Sequence, residues 1–104
     1  MTATTTTPAS PSLEEVALLR RLAESDAHQR QLALIELEDV ASPHAVPSLI
    51  AAVTDPDETV RRLAVGLLEL LGDGRAAPAL IGALGDEAPA VRDAAHLALR
   101  ELRD

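Results

Sequence analysis

The feature that most constrains this chain is repetition at a fixed period. Shifted by 31 positions, residues 46–73 lie over residues 77–104, and Pro47, Leu49, Ile50, Ala52, Asp55, Val60, Arg61, Ala64, Leu68, Leu71 and Asp73 each meet an identical residue. Eleven identities in 28 positions is strong for so short a chain, even allowing for its Ala and Leu bias. A second shift of 31 lays residues 15–45 over 46–76 more weakly, matching Leu18, Asp26, Arg30, Leu32, Ala33, Leu37, Glu38 and Ala45. A period of 20–50 residues is the mark of stacked supersecondary units that bury their apolar faces against one another. The chain therefore reads as three units, residues 12–42, 43–73 and 74–104, preceded by residues 1–11.

Composition narrows what each unit can be. Twenty Ala and eighteen Leu supply most of the 47% apolar content, and there is no aromatic residue. Ala and Leu head the helix propensities, whereas the β-branched and aromatic residues that strands prefer are scarce or absent, so an all-α fold is expected. At 104 residues the chain has the length of one domain, able to bury roughly two thirds of its unfolded surface. Without aromatics it is not a base-stacking nucleic-acid module. Without cysteine or lysine it has no disulfide framework, thiolate zinc site, Schiff base or phosphate-loop lysine. Its net charge of −8 repels phosphate backbones and anionic membranes, so neither nucleic acid nor membrane is an expected partner. No stretch approaches the roughly 18 apolar residues of a membrane span. The start lacks the basic and apolar regions of a secretory signal, and a cytoplasmic location is expected. Residues 1–11, uncharged and holding Pro8 and Pro11, have nothing to repay ordering and read as a disordered Thr/Pro tail.

Each unit reads as two helices. Ser12 and Glu15 have the spacing of a capping box, and Leu13, Val16, Ala17, Leu19 or Leu18, and Leu22 recur at helical spacing until Ser25-Asp26. In the second unit Ser42 and Pro43 supply an N-cap and a first-turn proline, followed by the stripe Val46, Leu49, Ile50 and Val53. Asp55-Pro56-Asp57 turns the chain, and Val60, Ala64, Leu67, Leu68 and Leu71 form a second stripe closed by Gly72. The third unit repeats this with Ala79 to Leu84, a turn at Asp86 to Pro89, and Val91, Ala95, Ala98, Leu99 and Leu102. Ala33, Ala64 and Ala95 would permit close helix approach. Gly72, Gly74, Gly82 and Gly85 read as helix ends and close-packing positions.

Val46-Pro47-Ser48-Leu49-Ile50, the run from Asp55 to Ala64 and Leu71-Gly72-Asp73, with their third-unit copies, resemble the short bacterial HEAT repeat of phycobilin-lyase-type and related solenoids. The first unit departs, with Glu24 for the aspartate, Gln29 before Arg30, and no proline. The resemblance implies an α-α superhelix of about three HEAT-like hairpins and about six helices. An acid stands six places before an arginine in every unit, as Glu24/Arg30, Asp55/Arg61 and Asp86/Arg92. The resemblance makes these a structural ladder of ion pairs running from unit to unit.

At about 100° per residue, Val60, Ala64, Leu67 and Leu71 face the first helix of their own hairpin. A second row lies about 120° away. It holds His28, Gln31, Leu32, Ile35 and Asp39, then Thr59, Arg62, Leu63, Gly66 and Leu70, then Ala90, Asp93, Ala94, Leu97 and Glu101. The resemblance places this row on a concave face used for partners. Its leucines either form a groove for a partner or complete the core as the stack curves. Leu34 becomes Val65 and then His96, and Gly72 becomes Arg103, so the last unit is expected to cap the array.

His28, His44 and His96 form no i, i+4 pair and no HExxH string, so neither a metal site nor a cofactor is expected. No serine sits in a GxSxG elbow. The expected function is a non-catalytic adaptor, a monomer or weak homo-oligomer, binding another protein or peptide through His28, Gln31, Leu32, Ile35, Thr59, Arg62, Leu63, Leu70, Asp93 and Leu97. One alternative is an accessory subunit or lyase-like protein of the bilin-lyase group. A weaker one is a HEAT-like DNA-binding protein, which would want a basic concave face and aromatics.

Overall fold

The computed structural model describes residues 10–102. Most of the expected Thr/Pro tail, and Arg103 and Asp104, lie outside the described residues. Three helical hairpins follow one another: α1 (Leu13–Arg21) with α2 (Ala27–Leu37), α3 (Val46–Ala52) with α4 (Glu58–Leu71), and α5 (Ala77–Ala83) with α6 (Pro89–Leu102). Each first helix packs on the second helix of its own hairpin, and α2, α4 and α6 pack side by side as the spine of the stack.

The first helices of hairpins two and three begin with one turn of 3₁₀ helix, Pro43–Ala45 and Gly74–Ala76. Ser42 and Asp73 cap these turns, accepting from the backbone N–H of His44 (3.2 Å) and Arg75 (2.9 Å). The α-helices then start at Val46 and Ala77, the first of them three residues later than the Ser42-Pro43 cap suggests. Pro47 and Pro78 fall in their first turns, where a missing N–H leaves nothing unsatisfied.

The core is wholly aliphatic. Leu34, Leu37, Leu49, Leu68 and Leu80 and the valines 46, 60, 65 and 91 are fully buried, each contributing roughly 1.5–3 kcal/mol of hydrophobic free energy. Ala33, Ala64 and Ala95 have no exposed surface, so a larger side chain at any of them would force the helices apart.

Two local expectations are corrected. Ser12 caps α1 by accepting from the Glu15 N–H (3.0 Å), but Glu15 does not complete the box. Glu15 is 1% exposed, and its carboxylate accepts from the N–H of Ser42 (2.8 Å) and from Ser42 Oγ (2.9 Å). A buried carboxylate needs strong donors, and Ser42 offers two at once, so Glu15 ties hairpin one to the start of hairpin two. The glycines also differ from their reading as close-packing positions. A methyl group at Gly74 or Gly82 would meet nothing within 4 Å, and one at Gly85 only the Gly82 carbonyl at 3.7 Å. Gly72 does end a helix: its φ of 64° lies in the left-handed region, and its N–H closes α4 on the Leu68 carbonyl at 3.1 Å. Among the described residues no helix is long and apolar enough to cross a membrane.

Candidate functional site

The turns inside the hairpins set the spacing of the stack. Arg30 Nη1 donates to the carbonyls of Glu24 (2.7 Å) and Ser25 (2.9 Å), in its own turn. Its Nε and Nη2 reach the carboxylate of Asp55 in the next hairpin at 2.8 and 3.0 Å. Arg61 repeats this, with Nη1 on the carbonyls of Asp55 (2.9 Å) and Pro56 (3.1 Å) and the other edge on Asp86 (2.8 and 3.1 Å). Arg92 Nη1 likewise holds the carbonyls of Asp86 (2.7 Å) and Glu87 (3.1 Å). The six-residue spacing thus lays each guanidinium over the carbonyls of its own turn, while the carboxylate it grips belongs to the following hairpin. Arg30 meets Glu24 through the backbone carbonyl.

These pairs are bidentate and largely shielded, with side chains only 9–12% exposed, which makes them stronger than surface pairs. The Arg61 guanidinium holds the Asp86 carboxyl below the usual carboxylate range, and Asp86 in turn raises Arg61. Asp55 and Asp86 also each accept the N–H two residues on, from Asp57 and Ala88, both at 2.8 Å. A second rung lies beside the first. Gln31 Nε2 donates to Asp57 at 2.9 Å, and Asp57 caps α4 through the Val60 N–H at 2.9 Å. The Val60 amide and then Gln31 depress the Asp57 carboxyl.

Across the spine lies an open groove of about 450 Å³. Leu34, Leu63, Gly66 and Leu67 line it with Ile35 and Leu70, and its polar groups are Glu38, Arg62, Glu69 and Glu101. Ile35 is 52% exposed and Leu70 60%, whereas Leu63 is half-buried and packs against the core. Exposure therefore differs from residue to residue along the leucine row. Of the residues expected on this face, Ile35, Arg62, Leu63 and Leu70 come together in the groove. Gln31 is turned to Asp57. His28, Leu32, Thr59, Asp93 and Leu97 lie on the same helices outside the groove lining, with Leu97 about half exposed.

Glu38 and Glu69 were not expected there. Their signal was present, since they are an identical pair at the 31-residue period, one place before the row containing Leu70. Among the described residues Glu38, Arg62, Glu69 and Glu101 make no ion pair; Glu38, Arg62 and Glu101 are exposed and Glu69 is half-buried. His28, His44 and His96 are exposed. No group of three His, Cys, Asp or Glu among the described residues is placed to hold a metal. The interior position of Leu34 and Val65, both buried, becomes exposed at His96.

No curated protein matches the chain. Among solved structures, a chain in the complex of CpcE and CpcF of phycocyanin lyase from Nostoc sp. PCC7120 is similar, with a TM-score of 0.80 and 32% identity. The likeness covers 99% of this chain and 43% of that one, so this chain spans less than half the length of its neighbour. The family of HEAT repeats matches residues 15–100, the span from the buried Glu15 strut to the last turn of α6. With three hairpins at a constant period, packed through aligned second helices and bound turn to turn by arginine, the chain belongs to the HEAT-repeat family.

Proposed function

We propose that this chain is a non-catalytic protein-binding module whose groove over α2, α4 and α6 receives a segment of a partner protein. The observation that carries this reading is the pair Ile35 and Leu70, more than half exposed beside a half-buried Leu63 and rimmed by charges that no described residue neutralises. An aliphatic floor inside a polar rim is the anatomy of a protein interface. With three glutamates to one arginine around the floor, the fitting segment is apolar on one side and basic at its edge. The same glutamates repel a phosphate backbone, which disfavours DNA.

Affinity capture with and without nuclease tests the class. Recovery of one stoichiometric protein under both conditions is expected, and recovery of nucleic acid that nuclease removes would overturn the reading.

A second reading, a subunit of a lyase assembly, is favoured by the likeness to the phycocyanin lyase complex over 99% of the chain. It predicts that adding the chain to phycocyanin, together with the partner subunit that capture would identify, changes the pigment's absorption. The adaptor reading predicts an unchanged spectrum.

A further inference from the structure

We propose that Gly66 is the specificity-determining position of the groove, a notch that admits one large apolar side chain of an amphipathic partner helix whose edge carries arginine or lysine. This rests on the reading of the groove as a protein-binding surface and names its occupant. Ile35, Gly66 and Leu97 stand at the same register of α2, α4 and α6, one period apart. Ile35 and Leu97 are each about half exposed, so the row presents two aliphatic knobs with a gap between them. Because α4 is flanked by α2 on one side and α6 on the other, the exposure of Gly66 does not depend on what precedes α1 or follows α6.

Packing within the chain does not call for this glycine. Gly66 lies inside the 14-residue α4, where glycine is disfavoured relative to alanine. Its φ is not positive, and a methyl group there would meet nothing within 4 Å outside its own helix. The helix is therefore weakened at this position with no gain in packing. Leu63, Gly66, Leu67 and Leu70 stand at i, i+3, i+4 and i+7 and all line the groove, the spacing of the four-residue hole that receives a side chain of a facing helix. The missing side chain at one corner deepens that hole, so it fits a leucine or an aromatic ring better than an alanine.

Charge selects the edge of the occupant. Glu38 is the C-cap residue of α2, and Glu69 and Glu101 lie in the last turns of α4 and α6. The helix dipole disfavours acids at that end, whereas a cation there is favoured by carboxylate and dipole together. Neither α2 nor α4 has a basic residue in its last turn. Arginine or lysine on the partner, a turn away from its apolar anchor, supplies the missing charge. A second copy of this chain, at net charge −8, would instead set acid against acid.

The probe is a stapled, fluorescein-labelled helical peptide with leucines along one face and arginines at its edge, titrated into the full chain and followed by anisotropy. Binding is expected, and it should vanish when the arginines are replaced by glutamates. Gly66→Leu should weaken binding by at least about tenfold, as filling a shaped apolar site does, while Gly66→Ala raises the urea midpoint. No binding of the arginine peptide, equal binding of the glutamate peptide, or undiminished binding by folded Gly66→Leu would each overturn the proposal. Ile35→Ser/Leu70→Ser separates the two levels of the account. If this double variant loses the peptide while Gly66→Leu keeps it, the groove still binds and only the notch is wrong; if both keep it, the groove reading falls as well. Sedimentation of the parent chain is expected to give a single species at all concentrations. A self-association abolished by Gly66→Leu would assign the notch to a second copy instead.

Discussion

Arg61 ties two levels of the structure together, since one edge of its guanidinium fixes the turn of its own hairpin and the other fixes the distance to the next. Turning the far carboxylate into an amide leaves one acceptor for two shielded donors and removes the charge of the pair. Asp86→Asn is expected to cost about 1–3 kcal/mol in urea unfolding, against about 0.2–1 for an exposed pair. Asp57, Asp73 and Asp86 all sit below the usual carboxylate range, Asp57 through the Val60 amide, Asp73 through Arg75 and Asp86 through Arg61. The unfolded chain therefore takes up these protons first as pH falls. Their contribution is present above roughly pH 4, the ordinary aspartate value, and is lost as pH drops below it. Urea midpoints measured from pH 7 to pH 3 should decline in that window, less steeply in Asp86→Asn. Glu15→Ala, which strips the buried acceptor from Ser42, should cost about 1–3 kcal/mol. The acid and arginine spacing was legible in the sequence, but the turn whose carboxylate each arginine grips was not, because spacing along the chain carries no information about the neighbouring hairpin. The role of Glu15 is not legible from the capping-box spacing, which is a local pattern, because its partner Ser42 lies 27 residues away.

The second helices α4 and α6 were the most legible elements, since their apolar residues recur at helical spacing with Gly72 closing the first of them. The 3₁₀ turns before α3 and α5 carry no distinct sequence signal. A side-chain cap, Ser42 before Pro43 or Asp73 before Gly74, suits either kind of helix, and Pro47 and Pro78 lie in the first α turn that follows. Packing at this scale is tight and aliphatic, so Leu68→Ala, in the fully buried face of α4, should cost about 2–5 kcal/mol by thermal or urea unfolding. Gly72→Ala should cost about 1 kcal/mol through its left-handed backbone alone, since there is room for the added methyl. The same substitution at Gly82, in ordinary helical conformation with no neighbour within 4 Å, should stabilise slightly. Measuring these two alanines side by side separates backbone strain from packing.

At the scale of the whole molecule, three hairpins share a spine of second helices and leave one long face of it uncovered. The row of residues on that face was readable from a helical wheel, yet the wheel could not tell Leu63 from Leu70. Leu63 packs against the core while Leu70 stays open, a difference set by how adjacent hairpins lie against each other. The informative substitutions are at Ile35 and Leu70, because Leu63→Ser would unsettle the core and blur the result. The most direct measurement pairs the melting temperature of Ile35→Ser/Leu70→Ser with its retention of the partner that the parent chain captures. The predicted result is stability within about 0.5 kcal/mol of the parent, as for exposed positions, together with loss of the partner. A large drop in stability, or undiminished partner retention by a stably folded variant, would contradict the assignment of this groove to binding.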